Sequence, residues 1–120
     1  MLELITYCKA YLNISKPVII ELKDRIYRNY TGVSWTNYAS DGSIKCHVIK
    51  VSLKRLFDDA RGMNEIIAHE FVHVWQSEHK PIKKKFHTPS FIKKAADLQR
   101  FLKSSGFNIG QLYYPDVDKS

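Results

Sequence analysis

Five consecutive residues, His69-Glu70-Phe71-Val72-His73, constrain this chain more than any others. They lie in the stretch NEIIAHEFVHVWQSEHK, Asn64 to Lys80, where Ile66, Ile67, Phe71, Val74 and Trp75 form a broad apolar surface. That pattern predicts a central, largely buried helix over about 64–79, with Asn64 as N-cap and Glu65 in its first turn. On such a helix His69 and His73, one turn apart, point the same way and Glu70 sits on the adjoining face. Buried imidazoles and a buried carboxylate are costly unless something pairs with them. Two neutral imidazoles at this spacing can hold Zn²⁺, and the carboxylate can accept a proton from an attacking water. So short a pattern also arises by chance, but chance matches fall as readily in loops as on an apolar helix.

A catalytic zinc takes a third protein ligand. Three candidates follow the motif: His79, His87 and Asp97. His79 stands at the interval of the metzincin pattern HExxHxxGxxH, but Gln76 occupies the glycine position. If the helix continues through Gln76, His79 is rotated about 120° from His73 and carried about 9 Å along the axis, out of reach of the same ion. The region after the motif also lacks the methionine of a Met-turn. Asp97 would fall mid-helix. His87 is better placed: Lys80-Pro81 ends the first helix, Ile82 to Phe86 is a short basic crossover, and Thr88-Pro89 starts a second helix running to about Lys103. Just outside that start, His87 can be aimed back at His69 and His73. Phe91, Ile92, Ala95, Ala96, Leu98 and Leu102 give the second helix a packing face. Gln76, one turn beyond His73, is a candidate to orient it, and Tyr113 and Tyr114 are candidate oxyanion donors.

Upstream, residues 2–13 read as an amphipathic helix carrying Leu2, Ile5, Leu12 and the Tyr7/Tyr11 pair, expected to lie over the sheet. Val18-Ile19-Ile20 with Leu22 reads as a buried strand. Residues 32–51 read as a hairpin closed by a two-residue Asp41-Gly42 turn. That turn sets Ser40 opposite Ser43, Trp35 opposite Val48 and Val33 opposite Lys50. Val33, Trp35, Ala39, Ile44, Cys46 and Val48 are then expected to face the core, with Ser34, Thr36, Lys45 and His47 in solvent. The strand Ile44 to Val51 is a candidate edge for an extended peptide. Val51 to Phe57 leaves the strand as a helical turn or loop.

At 120 residues, 44% apolar and 26% charged, the composition fits one soluble globular domain, 1–120, with 113–120 as a flexible tail. No apolar run approaches a membrane span and no leader pattern is visible, so a cytoplasmic location is expected, with nucleoid or nuclear association as a variant. Cys8 and Cys46 form no CxxC and read as buried thiols. A net charge of +7 favours polyanionic partners. Lys80, Lys83, Lys84, Lys85, Lys93 and Lys94 crowd the segment around His87, either as a solvated face or as a patch contacting DNA phosphates.

The motif His69-Glu70-Phe71-Val72-His73 followed by His87-Thr88-Pro89-Ser90-Phe91 resembles the SprT-like domain, the zincin-type module of the Spartan DNA–protein crosslink proteases, whose pattern is HExxH then HGxxF. The match covers roughly Ile49 to Leu102 and departs at Thr88, where the family usually has glycine. The resemblance implies one zinc held by His69, His73 and His87, with Glu70 as catalytic base. It implies an α+β, zincin-like minimal metalloprotease core: a small antiparallel or mixed sheet on the HExxH helix, with flanking N-terminal and C-terminal helices. No cysteine follows Cys46, so the zinc ribbon of many relatives is missing. The expected activity is hydrolysis of peptide bonds, in proteins that include DNA-associated ones. The competing readings are a zinc-stapled binding or assembly module, as in a phage or mobile element, and a basic nucleic-acid-binding domain.

Overall fold

The computed structural model describes residues 1–26, 30–79 and 87–118. They form an α+β fold of four helices and one three-stranded mixed sheet: α1 (Leu2–Tyr11), β1 (Val18–Lys23), β2 (Gly32–Tyr38), β3 (Ile44–Ser52), the short α2 (Leu53–Leu56), α3 (Met63–His79) and α4 (Pro89–Ser104). The sheet order is β1-β3-β2, β1 running parallel and β2 antiparallel to β3. With a partner on both sides, β3 cannot take a peptide as an edge strand, contrary to expectation. The edges are β1 and β2.

The hairpin keeps the expected pairs Trp35–Val48 and Val33–Lys50, then slips at Asn37/Tyr38 so that Tyr38 faces Ile44. Its turn is one residue longer than expected. Gly42 N–H donates to Ala39 C=O at 3.0 Å, Ala39 N–H to Ser43 C=O at 2.8 Å, and Gly42 takes φ 88°. This is a three-residue loop with a left-handed glycine. Asp41 supports it by accepting from the Ser43 amide and hydroxyl.

The two faces of the hairpin are exchanged relative to the prediction. Ile49 and Val51 join the core with α3, and Val18 and Ile20 pack against it from β1. His47, expected in solvent, is fully buried on that side. Nδ1 of its ring lies 2.8 Å from Thr36 Oγ1, and Nε2 lies 2.8 Å from the carboxylate of Glu78 near the end of α3. Glu78 also accepts the backbone amides of Ser15 and Lys16, tying the α1–β1 connection to α3 and the sheet. The polar residues of the hairpin face inward because polar partners wait there. Trp35 and Val48 lie on the opposite face from that core cluster, where Val48 is itself buried and Lys50 Nζ sits 5.0 Å from the Trp35 ring centre. β1 is buried on one face only, Ile19 being 47% exposed.

Seventeen residues long, α3 buries every side chain from Ile66 to Gln76. It starts at Met63 rather than after Asn64. Ile66 N–H bonds Gly62 C=O, and Glu65 reaches back to the Gly62 amide as in a capping box. α1 packs on α3 and α4, not on the sheet, and its buried stripe is Leu4, Cys8 and Leu12, while Leu2 is exposed. Its end is fixed by Asn13 at φ 53°, with Ile14 N–H bonding Lys9 C=O and Asn13 N–H bonding Ala10 C=O, a Schellman closure. α4 opens as expected, with Thr88 Oγ1 accepting from Phe91 N–H and Pro89 in the first turn. Phe91, Ala95, Leu98 and Leu102 form its buried face; Ile92 and Ala96 are exposed. Cys8 is buried and its thiol is pushed up to about 12 by burial, whereas Cys46 is half-buried. None of the helices among the described residues is long and apolar enough to cross a membrane.

Candidate metal centre

His69, His73 and His87 converge, one nitrogen from each lying within 4.8 Å of the others. Nε2 of His69 and Nε2 of His87 are 3.2 Å apart. Ligand nitrogens around a tetrahedral ion with metal–nitrogen bonds of 2.0–2.1 Å stand about 3.3 Å apart, so this spacing fits a metal. The continuous helix through Gln76 aligns His69 with His73, and the Thr88 cap of α4 places His87 opposite them.

The far side of each imidazole is fixed. Nδ1 of His69 donates to the Leu112 carbonyl at 2.7 Å, and Nδ1 of His73 donates to Gln76 Oε1 at 2.7 Å. His87 meets the main chain of Asp118 in a contact that favours its protonated ring, and its ring packs 5.2 Å from that of Tyr113. A neutral imidazole that donates from one nitrogen carries a lone pair on the other. His69 and His73, with their Nδ1 groups so engaged, therefore keep lone pairs on Nε2, as metal ligands do. Burial drives the His69 pKa down to about 3 against the opposing Leu112 bond, with Arg61 and His87 adding to the fall. Burial also lowers His87, more than the Asp118 contacts restore. Both shifts favour the neutral form a metal needs.

Gln76, 1% exposed, hydrogen-bonds His73. Residues 112–118, most of them in the stretch expected as a tail, pack beside the site. Leu112 is buried, its carbonyl accepts from both His69 and Arg61 Nη1, and the Asp118 carboxylate accepts from Arg61 and from the Tyr114 amide. Arg61, 7% exposed, also pairs with Asp59 at 3.1 Å, and Asp59 accepts from Thr31 Oγ1. Sequence reading missed Arg61, Asp59, Thr31, Leu112 and Asp118. The only signal was a charged Asp59-Ala60-Arg61 run just before the motif helix, which resembles an ordinary solvated loop.

Glu70 and the three histidines line one cleft of about 290 Å³, walled by β2 and by Arg61 and Asp118. β2 comes close because its first residue is glycine. A Cβ on Gly32 would meet Ile66 Cγ2 at 2.6 Å and Glu70 Oε2 at 3.4 Å. β2 runs along this cleft as an edge strand, taking the place expected for β3.

Tyr113 packs its ring 5.2 Å from that of His87, and Tyr114 lies under the Arg61 guanidinium; neither lines the cleft. His79 is directed away, Nε2 lying 2.7 Å from the Asn13 carbonyl. Asp97 is paired with Lys93 and Arg100 on the exposed side of α4. Of the basic segment, Lys93 is held by Asp97, and Lys94 lies over the Trp75 and Tyr11 rings. Lys80, Lys83, Lys84 and Lys85 lie outside the described residues, as does the Ile82–Phe86 crossover.

No protein-family model, curated protein or solved structure matches the chain.

Proposed function

We propose that the chain is a zinc-dependent metallopeptidase of the SprT-like, zincin type. The observation that carries this reading is the convergence of three imidazoles in a cleft that also contains Glu70. His69, His73 and His87 would hold the metal, and their nitrogen-only donor set with a fixed far side suits zinc. Zinc bound there would supply Lewis-acid polarisation of the scissile carbonyl and activation of water.

Glu70, 6% exposed on the adjoining face of α3, is the general base of the scheme. It accepts the proton of the attacking water and returns it to the leaving amine. The β2 edge beside the cleft holds an extended substrate by main-chain pairing, which makes binding tolerant of sequence. Lysines that flank His87 in the sequence, together with the net charge of +7, suit protein substrates held on nucleic acid.

Glu70→Gln tests the assignment against a zinc-stapled module. The peptidase reading expects zinc retained at wild-type affinity and hydrolysis of an unstructured protein such as casein reduced by about 10²-fold or more. A wild-type protein that binds zinc but cleaves no peptide bond would leave the module reading in its place.

A further inference from the structure

The segment Ile109–Asp118 follows the last helix and adds no further helix or strand, yet it closes the metal centre from outside. Two of the three ligand imidazoles meet its main chain, His69 at the Leu112 carbonyl at 2.7 Å and His87 at Asp118. Those two contacts come from opposite ends of a seven-residue stretch. Side-chain identity at Leu112 matters only for burying the stretch; the chemistry is in the backbone.

One side chain fastens the stretch at both points. Arg61 donates through Nη1 to the Leu112 carbonyl at 3.2 Å and to the Asp118 carboxylate at 2.9 Å. Its Nε reaches Asp59 at 3.1 Å, and the Arg61 amide bonds Asp59 at 2.9 Å. Asp59 in turn accepts from Thr31 at the entry to β2, whose carbonyl accepts from Ser52 at the end of β3. A rigid chain of contacts therefore runs from the sheet through Asp59 and Arg61 to the strap, and from the strap to His69 and His87. Fork-shaped guanidinium–carboxylate pairing has the directional stiffness this requires, which a lysine lacks.

We infer that Arg61 and Asp118 are positioning residues of the metal centre, acting through the Leu112 carbonyl and the Asp118 main chain to hold His69 and His87 in ligating orientation. This rests on the three-histidine metal reading, and it goes beyond that reading by placing the control of metal affinity in the C-terminal strap. Outer partners of metal-bound histidines typically contribute about 10–100-fold in affinity.

The test uses the full chain, stripped and titrated with zinc against a chelating competitor, and separately filled with Co²⁺ for its visible spectrum. Asp118→Asn keeps the backbone but weakens the Arg61 clamp, and about tenfold weaker zinc binding is expected. Arg61→Lys should give a similar or larger loss with an altered cobalt spectrum. Deleting residues 115–120 removes the Asp118 main chain as well and should cost about 100-fold. Thermal melting of the metal-free proteins separates positioning from simple destabilisation, since the metal affinity of a merely structural contact would not move. Zinc constants within about twofold of wild type in Asp118→Asn and Arg61→Lys, with unchanged cobalt spectra, would overturn the proposal. Failure of the wild type itself to bind zinc would instead defeat the underlying metal reading.

Discussion

Gly32 of β2 lies against Glu70 of α3, so close that a Cβ on the glycine would stand 3.4 Å from Oε2 and 2.6 Å from Ile66 Cγ2. The second distance is too short for any real contact, so a methyl group there must displace Ile66 or lift β2. Gly32→Ala is expected to lower hydrolysis about tenfold or more while leaving zinc affinity within about twofold, because Glu70 and the β2 edge move but the histidines do not. Parallel measurement of kcat/KM and zinc affinity checks this. Loss of zinc together with activity would show that β2 supports the ligands directly.

Gln76 offers a graded test of the far side of His73. Gln76→Leu removes the acceptor of the Nδ1–H and leaves a buried donor unpaired, so zinc affinity should fall about 10–100-fold. Gln76→Glu replaces the amide oxygen by a carboxylate, which raises ligand basicity and should restore affinity to at least the wild-type level. Competition titration of the two variants reads both effects. Equal losses in the two would mean that Gln76 serves only to fill space.

The hairpin shows where patterning succeeded and why it then misled. Trp35–Val48 and Val33–Lys50 are paired as alternation and turn chemistry predict. Val48 is buried as expected, but Trp35 is only half-buried, and the main cluster forms on the other face with Ile49 and Val51, a face shared by a core and a polar cleft. His47 looks solvated until Glu78, 31 positions beyond it, is known to meet one ring nitrogen while Thr36 meets the other. The HExxH helix, its continuation past Gln76 and the Thr88-Pro89 helix start were legible because each rests on neighbours in sequence. The strap was not, because Leu112 and Asp118 act on His69 and His87 through the backbone, which every residue possesses.

Glu78 and Asp59 make stability depend on acid. Burial opposes ionisation of Glu78, but the bonds from Ser15, His47 and Lys16 prevail and hold its carboxyl below the ordinary value of 4.5. Asp59 is likewise held below 3.8, its burial outweighed by Arg61 and Thr31. Groups with depressed folded-state pKa values contribute stability above their unfolded pKa and lose it as pH falls through the folded one. The metal-free protein should therefore show a nearly flat melting temperature from about pH 7 to pH 5 on this account, then a decline below about pH 4.5. Glu78→Gln should weaken that decline and cost about 1–3 kcal/mol at neutral pH, since it removes a carboxylate acceptor buried against His47 and the Ser15 and Lys16 amides. Urea unfolding of both proteins at pH 7 and pH 4 measures the two effects, and an unaltered acid slope in the variant would contradict the assignment.

The most direct test of the account is zinc binding by wild type and His87→Ala, each purified under metal-free conditions and titrated. Three converging imidazoles predict about one tight equivalent in the wild type. Removal of a direct ligand should weaken binding by more than the roughly 100-fold that outer partners can contribute. A wild type that takes up less than about half an equivalent, or a His87→Ala variant with wild-type affinity, would contradict the three-histidine centre.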